Sequence, residues 1–405
     1  MTKRHLILAA PLAIAAVVLA ACGGSSGGSN GGSGGGNKPT YKIALQAPLS
    51  GGNQQLGLNI AYGVQLAINQ ANASGSLPFK LAYTQSDDQG SPGAAPSAAQ
   101  KLIDDSKVVA VVGPVFSGAT RAAEPKFSDA NLATISPSAT APDLTKHGWK
   151  NFARIVVDDN TQGPADADYI AKVLKLHSVY VIDDASGYAQ PLAAAFISKA
   201  KSDNLTVKHD TATGTTQCQA GNGNAQQYGT VAGKVKNANL DAVFYAGYYC
   251  DGALLSKALH SAGYKGKFVS DDGNKDGKYV SQAGASIANG AYSSCACSDI
   301  TKSTNPAAPT FVTDYKALAH QDPSTYSGEG YDVANIFIQI MKGLGSKVTR
   351  EDIVKALPSV NYVGLTKPVK FTSDGSYDGS AVYMWQVKSG KFEQLGEISQ
   401  LVTAG

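Results

Sequence analysis

The 405-residue chain predicts an α/β protein built from parallel sheets and divided into two lobes. Short runs rich in Val, Ile and Tyr alternate with helix-like stretches almost throughout, the pattern of βαβ units. Right-handed crossovers then place successive strands parallel. From Tyr41 onward about 365 residues remain, more than one hydrophobic core usually serves.

The elements follow in order. "YKIALQAP" is a strand, and 54–74 a helix with Ile60, Val64, Ala67 and Ile68 on one face. "FKLAYTQSDD" leads to the helical "AAQKLIDD", and "KVVAVVGP" to a helix holding Arg121 to Asp129. "FARIVVDD" reads as a crossover strand, after which the alternation resumes. "SVYVIDD" precedes a helix around 189–203, "LTVKHDT" one around 225–238, "DAVFYAGYY" one around 252–262, and "KFVSDDG" a short one. The C-terminal part differs: "PTFVTDYKALAH", "GYDVANIFIQIMKGLG" and "TREDIVKAL" read as successive helices, the last with Thr349 and Asp352 in capping-box positions. A hairpin turning at Ser389-Gly390 closes the chain.

The N-terminus carries Lys3 and Arg4 and then an uncharged run from Leu6 to Ala21, short of the roughly 20 residues a spanning helix needs. A basic flank and a small-residue end fit a signal peptide over 1–21. Its end, Leu19-Ala20-Ala21-Cys22, resembles the bacterial lipobox, which makes Cys22 the expected lipid attachment point. The Gly/Ser-rich stretch 22–40 then reads as a tether with no preferred conformation. The expectation is a body held outside the cytoplasm, lipid-anchored to the outer face of the bacterial cell membrane.

The formal charge is +3, and two of those charges leave with Lys3 and Arg4. Such a near-neutral body lacks the basic stripe of a nucleic-acid binder. Cys218, Cys250, Cys295 and Cys297 suggest two disulfides outside the cytoplasm. A Cys295–Cys297 bridge closes a tight ring, so pairing of these two with Cys218 and Cys250 is expected instead. No second Cys/His cluster accompanies the Cys-x-Cys, and no metal or cofactor is called for. Gly-x-Ser-x-Gly strings occur only in the tether, where no strand-to-helix elbow forms, and no histidine has a Ser or Cys partner in sequence. The chain is not expected to be an enzyme.

Ligands of open parallel sheets lie beyond the carboxyl ends of the strands, where helix N-termini offer unpaired N–H groups. Ser117 in "GPVFSGAT" and Thr140 in "ISPSAT" stand at two such mouths, suited to a carboxylate, although spacing alone also allows both to be plain helix caps. Asp271 and Asp272 end the strand "FVSDDG", where a carboxylate can pair with a cation or sit in a solvated turn. Tyr188, the cluster "FYAGYYC" and Tyr331 are aromatics near element junctions, suited to walling an apolar side chain or to ordinary packing.

Taken in order, "GPVFSGAT", "ISPSAT", "DDNTQGPADADYIAK", "YAGYYCDGALL" and "FTSDGSYDGSAVYMWQVKSGKF" resemble the leucine/isoleucine/valine-binding proteins, the solute receptors of branched-chain amino-acid ABC importers. The resemblance runs from about Tyr41 to Phe392. It implies the type I periplasmic binding protein fold, a Venus-flytrap of two doubly wound lobes joined by three crossings. Lobe one would be 41–157 plus 299–376, and lobe two 158–298 plus 377–405. It further implies ligand contacts from Ser117, Ser138, Thr140, Tyr188, Tyr248, Asp272 and Tyr331. The implied ligand is an amino acid, the implied partner an ABC permease in the membrane, and the implied state a monomer. Leu56 stands where the family often has an aromatic, and Cys250-Asp251 where Pro-Glu is more usual. The competing expectations keep the fold and change the ligand to an amide or other small polar solute, or the role to a sensor.

Overall fold

A computed structural model describes residues 38–214 and 224–404. Cys22, the leader, most of the tether and Cys218 lie outside the described residues. The first half runs β1 (Thr40–Ala47), α1 (Gln54–Ala73), β2 (Lys80–Asp87), α2 (Ala95–Asp104), β3 (Val108–Val112), α3 (Ser117–Asp129), β4 (Ala133–Ser136) and β5 (Phe152–Arg154). All five strands are parallel, in the order β2-β1-β3-β4-β5. The second half runs α4 (Asp159–Asp168), β6 (Ser178–Asp183), α5 (Ala189–Ser202), β7 (Thr206–Thr211), α6 (Asn224–Ala238), β8 (Ala242–Ala246), α7 (Tyr249–Ser261), β9 (Lys267–Ser270), α8 (Gly277–Ala283), α9 (Ala285–Ala288) and β10 (Tyr292–Cys295).

The chain then returns to the first sheet with α10 (Ala308–Ala319), α11 (Ser327–Leu344) and α12 (Arg350–Ala356), followed by the small antiparallel pair β11 (Asn361–Val363) and β12 (Pro368–Lys370). Finally β13 (Tyr383–Lys388), β14 (Lys391–Glu397) and α13 (Ile398–Ala404) rejoin the second sheet. That sheet has the order β7-β6-β8-β9-β10-β13-β14, with β13 alone running against the other strands. The chain therefore passes between the two sheets three times, after β5, β10 and β12. Five parallel strands are wired identically in both sheets: second, first, third, fourth, fifth.

The residues account for this arrangement. β3 (VVAVV) and β8 (AVFYA) are buried at every position, as central strands covered on both faces must be. β7 (TVKHDT) is an edge strand, and its Lys208, His209 and Asp210 keep that edge from pairing further. On α1 the predicted stripe of Ile60, Val64, Ala67 and Ile68 is buried. The helix lies so close to α11 that a Cβ at Gly63 would strike the Ser327 carbonyl, and one at Gly330 that of Ile60. Phe196 of α5 and Phe244 of β8 stack at 3.9 Å. Thr349 caps α12 as expected, the Asp352 N–H donating to its Oγ1 at 3.1 Å, but the hydroxyl, not the Thr349 N–H, donates back to Asp352 Oδ2, at 2.6 Å. Ser389 and Gly390, both at positive φ, make the terminal turn.

One expectation is corrected. Cys295 and Cys297 bond to each other, with Cα atoms 4.9 Å apart, inside the usual span of a disulfide. Side chains two apart in an extended chain leave on the same side, and the bend at the end of β10 brings these two together. Cys250 is also disulfide-bonded. Among the described residues no helix is long and apolar enough to cross a membrane.

Candidate functional site

Each sheet reverses its winding direction once, between β1 and β3 in the first and between β6 and β8 in the second. A crevice opens at such a point, and the two crevices here share one cleft. At the first, Gly113 ends β3 with φ 101°, and a Cβ there would collide with the Gln46 carbonyl, so the backbone admits only glycine. The turn brings Val115, Phe116 and Ser117 into the cleft. At the second, the chain leaves β6 and β8 to present Tyr188 and Tyr248. These residues, with Leu56, Ser138, Asp272, Gly273 and Tyr326, enclose a cavity of about 20 Å³.

Four aromatics in this cleft share one local position. Phe116, Tyr188, Tyr248 and Tyr326 are the residues immediately before α3, α5, α7 and α11. That position normally holds Ser, Thr, Asp or Asn, whose side chain closes the first turn. None of the four makes a side-chain capping bond. At α3 the first N–H groups stay unpaired among the described residues, whereas at α5 those of Ala189 and Gln190 bond Ser186, and at α7 those of Tyr249 and Cys250 bond the Gly273 carbonyl and Asn53 Oδ1. Phe116 from the first lobe stacks on Tyr248 from the second at 4.2 Å, and Tyr188 packs on Tyr248 at 5.1 Å. Tyr326 holds the left-handed conformation, φ 63°, a strain that tends to mark functional positions.

The first lobe offers hydroxyls. Ser117, Ser138 and Thr140 are all buried. Ser117 Oγ accepts from the Ala141 N–H at 3.2 Å, and Ser138 Oγ donates to the Val115 carbonyl at 2.8 Å. Thr140 Oγ1 makes no hydrogen bond among the described residues, although it lies near enough to Asp159 to moderate that carboxyl's burial-driven rise in pKa. A guanidinium stands behind this loop. Arg154 Nη1 donates to the Ala141 carbonyl at 2.8 Å, and its Nη2 lies 3.5 Å from Asp158. Arg154 does not line the cavity; it fixes the carbonyls of the loop that does.

The second lobe offers a carboxylate. Asp272 Oδ1 accepts from the Tyr188 hydroxyl at 2.6 Å and Gln162 Nε2 at 2.9 Å, and Oδ2 from the Tyr326 hydroxyl at 2.9 Å. Burial raises its pKa, and these three donors oppose the rise. Asp159, Asp166 and Asp271 are pushed well up by burial, and the charge of Asp272 adds to each. So much buried acid in one place disfavours anions and favours a cation. Asp271 itself points away, accepting from the Gly247 and Asn274 N–H groups at 2.8 and 3.3 Å.

The structure therefore brings Ser117, Ser138, Tyr188, Tyr248 and Asp272 to one cavity, with Thr140 behind its wall. Tyr331 is a correction. One and a half turns into α11, it faces Gln70, to which its hydroxyl donates at 2.7 Å, and packs on Phe311 at 5.0 Å. The cleft aromatic of that region is Tyr326. Sequence reasoning also missed Phe116 and Gln162. For Phe116 and Tyr326 a signal existed, an aromatic just ahead of a predicted helix; for Gln162, inside α4, none did.

A two-lobed α/β receptor that encloses a small solute between facing sheet mouths is the class this geometry defines. The chain belongs to the periplasmic binding protein family, whose family model matches residues 40–391. It is a solute-binding protein and not an enzyme, and the family works outside the cytoplasm. The Leu/Ile/Val/Thr-binding protein of Salmonella typhimurium is 31% identical over 289 residues, 70% of this chain and 74% of that one. The Leu/Ile/Val-binding protein BraC3 of Rhizobium johnstonii is 28% identical over 78% of this chain and 82% of its own. The crystal structure of the branched-chain amino acid transporter substrate binding protein LivJ from Streptococcus pneumoniae, in complex with isoleucine, superposes with a TM-score of 0.78. It is 27% identical and covers 87% of this chain and 98% of its own.

Proposed function

We propose that this protein is the substrate receptor of an ABC importer, taking an amino acid with a branched aliphatic side chain and delivering it to a membrane permease. The observation that carries the reading is the contrast across the cleft. Hydroxyls and free helix N–H groups stand on one lobe, and a carboxylate ringed by Gln162, Tyr188 and Tyr326 stands on the other. An α-carboxylate suits the first and an α-ammonium the second, while Leu56, Val115 and the aromatics suit an aliphatic chain. The relatives named for leucine, isoleucine and valine support the same choice.

A cavity of about 20 Å³ holds roughly one water, so an amino acid enters only when the lobes part and the rings swing aside. The ligand then draws the lobes together, because each end of it is satisfied by a different lobe. Lobe boundaries at 41–157 with 299–376 and 158–298 with 377–405 fit the three passages between the sheets. Cys22 as lipid anchor, the Gly/Ser tether and a monomeric state complete the proposal.

Calorimetric titration of the full-length protein with leucine, isoleucine and valine tests it, alongside the matching carboxylic acid without the amino group. Tight binding of one amino acid, lost with the amino group, is expected. Ser117→Ala and Thr140→Ala should each weaken it by about 1–3 kcal/mol, the cost of removing a partner from a buried charge. Unchanged affinity in both would remove the carboxylate from this mouth. Response to an amide but to no amino acid would favour a small polar solute and a different role for Asp272. A further pair separates two tyrosines: Tyr326→Phe should lower affinity about tenfold through its bond to Asp272, and Tyr331→Phe should leave it unchanged.

A further inference from the structure

A second chamber lies between the lobes, distinct from the central cavity, with a volume of about 460 Å³. Asn59 of α1 and Glu329 of α11 line it from the first lobe, and Lys275, Asp276, Trp385 and Phe392 from the second. We propose that this chamber is a second ligand site and that it takes a small organic carboxylate.

The argument rests on which of its charges already have partners. All four lining carboxylates do, Glu329 by an ion pair alone, since its Oε1 has no hydrogen bond among the described residues. Asp276 accepts from Asn59 Nδ2 at 2.9 Å and the Lys278 N–H at 2.8 Å. Asp299 accepts from the Thr301 N–H at 3.0 Å, Asp322 meets Lys316 at 2.7 Å, and Glu329 faces Lys367 at 3.5 Å. The lining cations do not. Among the described residues neither Lys275, Lys278 nor Lys391 forms an ion pair. Lys275 is the telling one: it is 94% buried, since only 6% of its surface is exposed, and its ammonium sits 3.7 Å from the centre of the Trp385 ring. Burial holds its pKa down at about 8, against the pull of Asp276, Asp299 and Glu329.

A cation over an aromatic face gains part of what it loses on leaving water, but an anionic partner gains more. The same ring supplies a second unused donor, since among the described residues the buried Trp385 Nε1–H has no acceptor. An ammonium without an ion pair and an indole N–H without an acceptor, on two residues that line one chamber, ask for a group with two acceptor oxygens and a negative charge. A carboxylate meets that description, and the volume leaves room for the carbon skeleton behind it. Because both lobes line the chamber, its occupant would also hold the lobes together.

Titration of the full-length protein with succinate, at ionic strength fixed with sodium chloride, tests the site. Saturable binding is expected, weakened about tenfold or more in Lys275→Met and retained in Lys275→Arg, the scale of a lost hydrogen bond to a charged group. It should survive Ser117→Ala, which disables the central mouth instead. Trp149→Phe leaves Trp385 as the single tryptophan, and its fluorescence should follow succinate with the same midpoint. Trp385→Phe keeps a ring under the ammonium and removes the N–H, so it should bind more weakly even if Lys275→Met fails to fold. No saturable binding, equal binding in Lys275→Met or Trp385→Phe, or loss of binding in Ser117→Ala would each overturn the proposal. The last would place the anion in the central cavity.

Discussion

Asp272→Asn is expected to abolish amino-acid binding, weakening it by about a hundredfold or more, while Asp271→Asn leaves affinity within about threefold. Neighbours in sequence, the two carboxylates have different work. Asp272 gathers the Tyr188, Tyr326 and Gln162 donors into one spot facing the cavity, and the negative charge there is what an ammonium would neutralise. The amide keeps the shape, loses the charge and places an N–H₂ among donors that need an acceptor. Asp271 is occupied by the Gly247 and Asn274 backbones, so its loss should appear in melting temperature. Calorimetric titration with leucine and thermal melts of both variants decide it. The reverse order of affinities would move the anchor to Asp271.

Glu124→Gln should make the protein markedly more stable at pH 9 and nearly unchanged at pH 5. Glu124 is buried on α3, with one bond to Oε2, from Asn151 Nδ2 at 3.1 Å. Burial raises its pKa from the ordinary 4.5 to about 8, opposed by Thr134 and Asn151. Between those values the folded protein keeps a proton that the unfolded chain has released. The stability tied to that proton is complete below about 4.5 and is lost as pH climbs through about 8. Glutamine cannot ionise, so the gap between variant and wild type should open with pH to several kcal/mol at pH 9, about 1.4 kcal/mol for each pH unit separating the folded and unfolded values. Urea unfolding at the two pH values measures it, and parallel losses in the two proteins would show that Glu124 is not buried as described. Comparison of the two proteins also cancels the other raised carboxyls, such as Asp88 and Asp332 near 6.

Most of the fold was legible because it rests on local patterns. α1, α5 and α6 lie within a residue or so of the helices expected from periodicity, and the turn at Ser389-Gly390 follows from its own chemistry. What escaped was set by distant contacts. α13 is short and carries little periodic signal, since its place depends on docking against α4. The Cys295–Cys297 pairing depended on a bend in the chain that no spacing reveals. In the site, Ser117, Tyr188, Tyr248 and Asp272 stand out because each follows a strand end or opens a helix. Tyr326 and Tyr331 both sit at the start of one helix, and half a turn of register decides which faces the cleft. Arg154 could not be placed at all, because an arginine at the end of a strand says nothing about which loop it will hold.

Because the two sheets are wired alike, strands of the same rank in each half end at the cleft. An amino acid has no such likeness between its ends. A helix mouth faces the ligand from each side, but the first N–H groups of α5 and α7 are already bonded. Direction is written in the hydroxyls and free α3 N–H groups on one wall and in Asp272 with Gln162 and Tyr188 on the other, Tyr326 reaching across to that carboxylate. A handful of substitutions at these positions is therefore enough to turn the ligand round, or to exchange it for a solute with two like ends, while leaving every strand where it is.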